Sequence, residues 1–319
     1  LIVYYRTFSV SKPIRLFTEV ATKIGSGDFD AQLPPSGNSY EIDHLIHSFA
    51  VMQKSLKEYI KNLEITNAEK NRILAEVQVA SEIQRKLIPA NTEHPYKVKE
   101  IRCYGILEPA GEIGGDLYDF FPVDESHFFF VIADVAGKGI VASMTMIMVS
   151  TYLRTISTYN FTVNEIMKNL NNFLCTQSSA AIFVTALIGI IDLKNDELEF
   201  SNAGHTPLFL RKLNGTYEIF ADTHSNPLGV FENMEIGSSQ LKLDKGDELI
   251  LLTDGVTEIM NEKEDFLGIK GVESIIQNLE TTNPEQTAKQ IMQYVHNFAQ
   301  SIPQRDDITI LVLDYKYPE

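Results

Sequence analysis

The chain changes its hydrophobic period part-way along. In the first quarter, apolar residues recur every three or four positions: Ile14, Phe17, Ala21 and Ile24, then Ile42, Leu45, Phe49, Met52 and Leu56. That spacing predicts two helices with narrow apolar stripes, divided by GSGDFD (25–30) and the loop PPSGNS (34–39). The helical pattern runs on to Leu87. Ile60 and Leu63 extend the stripe, Asn67 and Lys70 interrupt it, and Ile73, Val77, Ala80, Ile83 and Leu87 resume it in a shifted phase. A phase break of this kind locally over- or under-winds a coiled coil, and a rotation can be absorbed there. Narrow stripes cannot bury themselves, so these helices call for a parallel partner and a dimer. Pro89 ends the helix.

Beyond Pro95 the pattern turns to strands. Runs rich in β-branched and aromatic residues occupy 98–107, 127–135, 181–193, 197–204, 206–213, 247–255 and 308–315. Asn195-Asp196 and Asn214-Gly215 are hairpin signals. Helical patterns separate the strand clusters near 138–157, 162–176, 268–279 and 284–301. Meandering strands with grouped helices predict an α+β domain of layered antiparallel sheets.

Composition narrows the function. A net charge of −16 over 319 residues excludes a nucleic-acid binder, whose affinity rests on Lys and Arg at phosphates. Cys103 and Cys175 have no metal-site spacing and read as two buried thiols in a reducing compartment. No apolar run reaches the roughly 20 residues of a membrane span. The opening LIVYYR nevertheless reads as the cytoplasmic exit of a transmembrane helix, with an ordinary strand as the alternative.

The candidate chemistry lies where strands stop. FFFVIADVAG leaves an apolar strand at Asp134, LILLTDG leaves another at Asp254, GGDLYD places Asp116 and Asp119 after a glycine pair, and RDDITILVL enters a strand through Asp306 and Asp307. Carboxylates at the ends of buried strands repel one another and lose hydration. A divalent cation removes both costs. An all-oxygen set with no clustered His or Cys suits Mg²⁺ or Mn²⁺ rather than zinc.

Two resemblances follow from these motifs. Pro13, Gly27-Asp28 in the connector and Glu41 at the start of the second helix resemble a HAMP domain, the signal relay of bacterial membrane receptors. GEIGGDLYDFF (111–121), ADVAGKGIVASM (133–144), SNAGHTPLFL (201–210), LLTDGVTEIMN (251–261) and RDDITILVL (305–313) resemble the SpoIIE/RsbU branch of the metal-dependent protein phosphatase (PPM) family. SEIQRKLIP (81–89) is similar to the helix that precedes the phosphatase domain in that branch. The resemblances imply the end of a transmembrane helix at 1–8, a HAMP domain at 9–60, a coiled-coil linker at 61–94 and an αββα sandwich phosphatase at 95–319. They imply hydrolysis of phosphoserine or phosphothreonine with two Mn²⁺ or Mg²⁺ ions and a metal-activated water, attacking in line without a phosphoenzyme.

Carried over by residue, Asp134 bridges both metals and the Val135 carbonyl binds one. Asp116 serves the second metal directly or through water. Asp254 and the acidic pair complete the first, with Asp306 preferred and Asp307 in reserve. The arginine that clamps phosphate in many family members is missing from LEPAGEIGG, and the histidine two residues after the bridging aspartate is Ala136 here. That leaves Lys138 as the nearest cation and the clamp unassigned. His205 in NAGHTP reads as a turn-packing residue. The implied substrate is a small phosphorylated regulator such as an anti-sigma-factor antagonist. The implied location is the cytoplasmic face of a bacterial cell membrane, as a homodimer. Two rivals have less support. A cyclic-dinucleotide synthase would use GGDLY as its GGDEF hairpin but leaves TDG and RDDIT unexplained. A catalytically silent module that only binds a partner would not need the carboxylates.

Overall fold

The computed structural model describes residues 2–35, 40–89, 96–98, 100–159, 161–177, 182–279, 281 and 283–316. Leu1, part of the expected connector (36–39) and the end of the expected linker (90–94) lie outside these residues. The chain divides into two compact units, Leu1–Glu76 and Val77–Glu319.

The first unit is helical. α1 (Ile2–Gly25) and α2 (Tyr40–Leu87) flank the glycine-bearing turn. Ile2–Arg6, from the stretch that reads as a membrane exit, lie inside α1 rather than on a strand. Among the described residues, no helix is long and apolar enough to cross a membrane. Gly27 adopts φ +101°, a left-handed value that L side chains rarely take, and lets the chain leave α1. Phe17 meets Phe49 edge-on at 4.6 Å, and Gln53 donates to the Phe29 and Ala31 carbonyls, so the two stripes and the connector hold one another. Asn67 and Lys70 sit within α2 without breaking it. Much of the stripe stays in water: Leu45, Met52, Leu63 and Ile73 are exposed.

The second unit is a four-layer sandwich. One antiparallel sheet runs β1 (Tyr96–Val98), β2 (Ile101–Glu108), β11 (Ile308–Tyr315), β10 (Glu248–Leu252), β7 (Leu208–Arg211) and β8 (Tyr217–Phe220). The other runs β3 (Leu117–Pro122), β4 (His127–Val135), β5 (Val184–Asp192), β6 (Glu197–Ala203) and β9 (Ser239–Lys242). α3 (Ile140–Ile156) and α4 (Val163–Gln177) cover the second sheet, while α6 (Gly268–Gln277) and α7 (Pro284–Ala299) cover the first. Between α5 (Asp254–Thr257), a single turn, and α6 lies a short loop.

Three cores fill the gaps, and side-chain alternation assigns each strand residue to one of them. On β4, Phe128, Phe130 and Ile132 enter the core between the sheets, while Phe129, Val131 and Ala133 pack under α3 and α4. On β10 and β11, Leu249, Leu251, Leu311 and Leu313 enter the same central core, while Ile250, Leu252, Ile310 and Val312 pack under α6 and α7. Both expected hairpin turns occur, with Asp196 at φ 58° and Gly215 at φ 84°. Strands β3, β8 and β9 were not among the predicted runs: two are four residues long, and β3 lies inside the glycine-led acidic motif. Of the two thiols, Cys103 is buried and Cys175 only partly so.

Candidate active site

The same alternation that builds the central core delivers the carboxylates. Asp134 continues the Phe128, Phe130, Ile132 series, so it emerges at the end of the seam between the sheets. Asp116 continues the series of Tyr118 and Phe120 on β3. Thr253 follows Leu249 and Leu251, and Thr309 and Asp307 precede Leu311 and Leu313. Residues distant in sequence therefore meet at one end of one seam.

Glycines let the backbones come close enough. A Cβ on Gly114 would stand 2.3 Å from the Asp307 carboxylate, one on Gly115 would stand 2.9 Å from the Val135 carbonyl, and one on Gly255 would stand 1.9 Å from the Asp307 carbonyl. Each contact is shorter than any side chain tolerates, so GGD and TDG are glycine-bearing because the strand ends touch there. Asp307 exploits this closeness. Its Oδ1 accepts the Ala110 N–H at 2.7 Å, and its Oδ2 accepts those of Gly115 at 2.6 Å and Asp116 at 3.4 Å. Both oxygens are engaged with the loop that carries Asp116. Asp306 beside it is half-exposed and stands 3.3 Å from the Lys138 ammonium.

Asp116 is fully buried. Its Oδ2 accepts the hydroxyls of Thr253 at 2.8 Å and Thr309 at 2.5 Å. Burial first, and then the Asp134 and Asp307 carboxylates, push its pKa well above the usual carboxylate range, against the two hydroxyls. Asp134 is pushed up to about 7, by burial and then by repulsion from Asp254 and Asp306. Asp254 is raised by burial and by Glu258 and Asp306. The negative charges are thus held together by the fold against their own repulsion.

The donor set fits a hard divalent cation. Oxygens make up the candidate donor set at the seam end: the carboxylates of Asp116, Asp134, Asp254 and Asp306, with the Val135 carbonyl turned towards Gly115. Among the described residues, no three acidic, histidine or cysteine side chains already close around one point.

His205 behaves as a structural residue. It is buried, its Nδ1 lies 2.8 Å from the Thr185 hydroxyl, and burial lowers its pKa to about 4, with the Leu252 carbonyl opposing that shift. Asp119, the second acid of GGDLYD, faces away from the seam. It forms a two-pronged pair with Arg154 of α3 at 2.6 and 2.8 Å. Lys138 precedes α3 rather than opening it, since the helix begins at Ile140.

Sequence reasoning missed Thr253, Thr309 and Gln84. The two threonines are wholly buried, Thr309 within β11 and Thr253 just past β10, and a hydroxyl in an apolar run within two residues of a motif aspartate is the signal that could have marked them. Gln84, near the end of α2, is buried. Its amide donates to the Gly114 carbonyl at 2.7 Å and accepts the Gly114 N–H at 3.4 Å. Nothing in a helical repeat distinguishes such a glutamine from a solvated one.

A two-sheet sandwich with an acidic seam end defines a class, the PP2C-type phosphatase fold. Comparison with known proteins agrees. Residues 124–316, more than half of the chain, match the model of the family described as Stage II sporulation protein E (SpoIIE), and residues 8–58 match the HAMP domain. The chain belongs to the SpoIIE family. It is 28% identical to Protein IcfG of Synechocystis, over 80% of this chain and 44% of that one. It is 27% identical to the phosphoserine phosphatase RsbU of Bacillus subtilis, over 76% of this chain and 71% of that one. The chain thus spans less than half of the first of these relatives. Among solved structures, the SiaA-PP2C domain of Pseudomonas aeruginosa superposes with a TM-score of 0.66 at 18% identity, covering 78% of this chain and 99% of that one. The PP2C phosphatase domain of SpoIIE from Bacillus subtilis gives 0.61 at 22% identity, covering 69% and 64%.

Proposed function

We propose that this chain is a metal-dependent protein serine/threonine phosphatase, coupled to a membrane receptor through its HAMP domain. The observation that carries the reading is the convergence of Asp116, Asp134, Asp254 and Asp306 at one seam end, with no arginine among the described residues set between them as a counter-charge. Two Mn²⁺ or Mg²⁺ ions held there would supply an activated water and neutralise charge on the phosphoryl oxygens. The side chains of Asp116, Asp134, Asp254 and Asp306 and the Val135 carbonyl are the proposed ligands. Asp307 has a different role. It fixes the Gly114–Asp116 loop, and the hydroxyls of Thr253 and Thr309 fix the Asp116 carboxylate in turn.

The substrate class is a phosphorylated regulatory protein, a reading supported by the phosphoserine phosphatase RsbU as a relative. An anti-sigma-factor antagonist is one such regulator. The HAMP match and the exposed stripe of Leu45, Met52, Leu63 and Ile73 support a parallel homodimer at the cytoplasmic face of a bacterial membrane. Gln84 gives that arrangement an outlet. It ties the end of α2 to Gly114, two residues from Asp116, so a shift of the helix would move a proposed metal ligand.

The test is phosphate release from a phosphoserine peptide by the full chain with Mn²⁺ or Mg²⁺. Activity that disappears in EDTA and returns on adding metal is expected. Turnover unaffected by chelator would overturn the metal site, and no turnover with any divalent ion would overturn the enzyme.

A further inference from the structure

Two cavities share Lys138 and Arg305 in their walls. The larger, about 310 Å³, is bordered by Gly115, Asp307 and Gln304. The smaller, about 210 Å³, is walled by Ile259, Met260, Phe266, Ile302 and Pro303, and reaches Asp306 itself. Lys138 and Arg305 line both, and are the cations that line either. They form the ridge between the two. Lys138 donates to the Arg305 carbonyl, and the Arg305 guanidinium lies 3.2 Å from the Met260 sulfur.

Backbone geometry sets the place of the ridge. Lys138 stands between Gly137 at φ +103° and Gly139 at φ +77°, both in the left-handed region. That backbone turns it out of α3 and over the acidic mouth. Its side chain is 63% exposed, and its ammonium lies 3.3 Å from Asp306 Oδ1. Met260 and Phe266 pair across an isolated antiparallel bridge, so the loop between them presents both to the same cavity. Phe266 is 60% exposed, unusual for a phenylalanine with no covering element.

A phosphate ester carries two negative charges into a mouth already holding Asp134, Asp254, Asp306 and Glu258. Metal apart, it needs a cation that can leave its resting partner. An exposed lysine–aspartate pair is weak and exchanges readily. We propose that Lys138 is the phosphate-binding cation of this site, moving from Asp306 to the substrate phosphoryl group. We propose too that the Met260–Phe266 cavity seats an apolar side chain next to the phosphoserine. This inference rests on the phosphatase reading and assigns the clamp that the LEPAGEIGG segment lacks.

Two measurements on the full chain test it. Calorimetric titration with Mn²⁺ reads the resting contact: Lys138→Met should bind Mn²⁺ several-fold more tightly, because Asp306 loses a competing cation. A merely structural lysine would give the opposite sign or no change. Binding of inorganic phosphate to the Mn²⁺-loaded chain should weaken about tenfold in Lys138→Met, the worth of one charge-assisted hydrogen bond, and recover in Lys138→Arg. KM should rise likewise for p-nitrophenyl phosphate and for phosphoserine peptides carrying leucine or aspartate beside the phosphoserine. Phe266→Ala should raise KM for the leucine peptide alone, by about fivefold for one lost apolar contact. Weaker Mn²⁺ binding, or unchanged phosphate binding, in Lys138→Met would overturn the clamp. An equal effect of Phe266→Ala on all three substrates would overturn the apolar subsite. Should the wild-type chain turn over none of them, the phosphatase reading fails, while the Mn²⁺ and phosphate titrations still decide the role of Lys138.

Discussion

Carboxylates are buried at both ends of the β10–β11 pair, and the two ends solve the same problem in opposite ways. At one end, Arg102, Asp314, Glu248 and Arg211 stand in register across β2, β11, β10 and β7, on the face packed by α7. Each carboxylate has a guanidinium beside it: Asp314 pairs with Arg102, and Glu248 with Arg211 at 3.3 Å. Thr287 of α7 donates to Glu248, and Arg211 also donates to the Leu279 and Thr281 carbonyls. At the other end, Asp116, Asp134, Asp254 and Asp306 gather at the mouth of the seam, the first buried and the others part-buried, with hydroxyls and one exposed lysine for company. A buried carboxylate beside a guanidinium is closed and structural, even where, as at Asp314, it keeps a proton. Carboxylates that repel one another with no guanidinium beside them leave a demand that a ligand from outside can meet. This contrast in charge pairing locates the site without reference to any motif.

The sharpest way to break the contrast is to remove one carboxylate from each end. Asp134→Ala and Asp254→Ala should each lower turnover by roughly a thousandfold or more while the thermal midpoint holds or rises, because a repelling charge is gone. Scanning calorimetry beside phosphate release reads both, and near wild-type turnover at saturating Mn²⁺ would refute the assignment. At the opposite end, Arg211→Met leaves Glu248 buried and unpaired. It should cost about 3–5 kcal/mol of stability with turnover per folded molecule unchanged, read by denaturant titration. A variant that lost activity yet kept its midpoint would mean that the two ends are not functionally separate.

A finer division lies within the acidic end. Thr309→Val removes one hydroxyl from Asp116 and should weaken Mn²⁺ affinity by about tenfold, near the worth of one hydrogen bond to a charged group. Its thermal midpoint should change little, and equal losses in both would make Thr309 a folding residue.

The smallest effect concerns pH. Burial first and then Glu248 raise Asp314 from its ordinary value of 3.8 to about 8, against the pull of Arg102. The folded chain therefore holds a proton that the unfolded chain has released. The stability this brings is complete below about pH 4 and is lost as pH rises through about 8. Asp314→Asn should flatten the fall in denaturation midpoint between about pH 4 and 8, by a shift of a few degrees. An unchanged slope would move the alkaline sensitivity to another group.

Much of the fold was legible because its signals are local. The switch from helical to strand-like apolar spacing marks where α2 gives way to the strands, although the two compact units divide earlier, at Glu76 within that helix. The strands of 127–135 and 308–315 appeared as β4 and β11 with nearly unchanged bounds. β8 and β9 escaped because four residues at half burial carry too few apolar positions to register a period. At the site, Asp134 and Asp254 stood out because a carboxylate closing an apolar run contradicts its surroundings. Gln84 and the arginine row did not, since a polar residue on a helix or near a strand terminus looks solvated until its partner is known.

The sequence by itself determined which residues carry charge to the ends of apolar strands and which glycines adjoin them, since both follow from neighbours along the chain. Only the tertiary structure decided that β3, β4, β10 and β11 end at one seam. It also separated Asp307, whose oxygens hold a loop, from Asp306, whose carboxylate faces Lys138. Sheet order and the choice of hydrogen-bond partner are set by contacts far apart in the chain, such as Asp307 to Gly115. The backbone pairing and the burial of three separate cores fix such contacts together, and no local pattern encodes them.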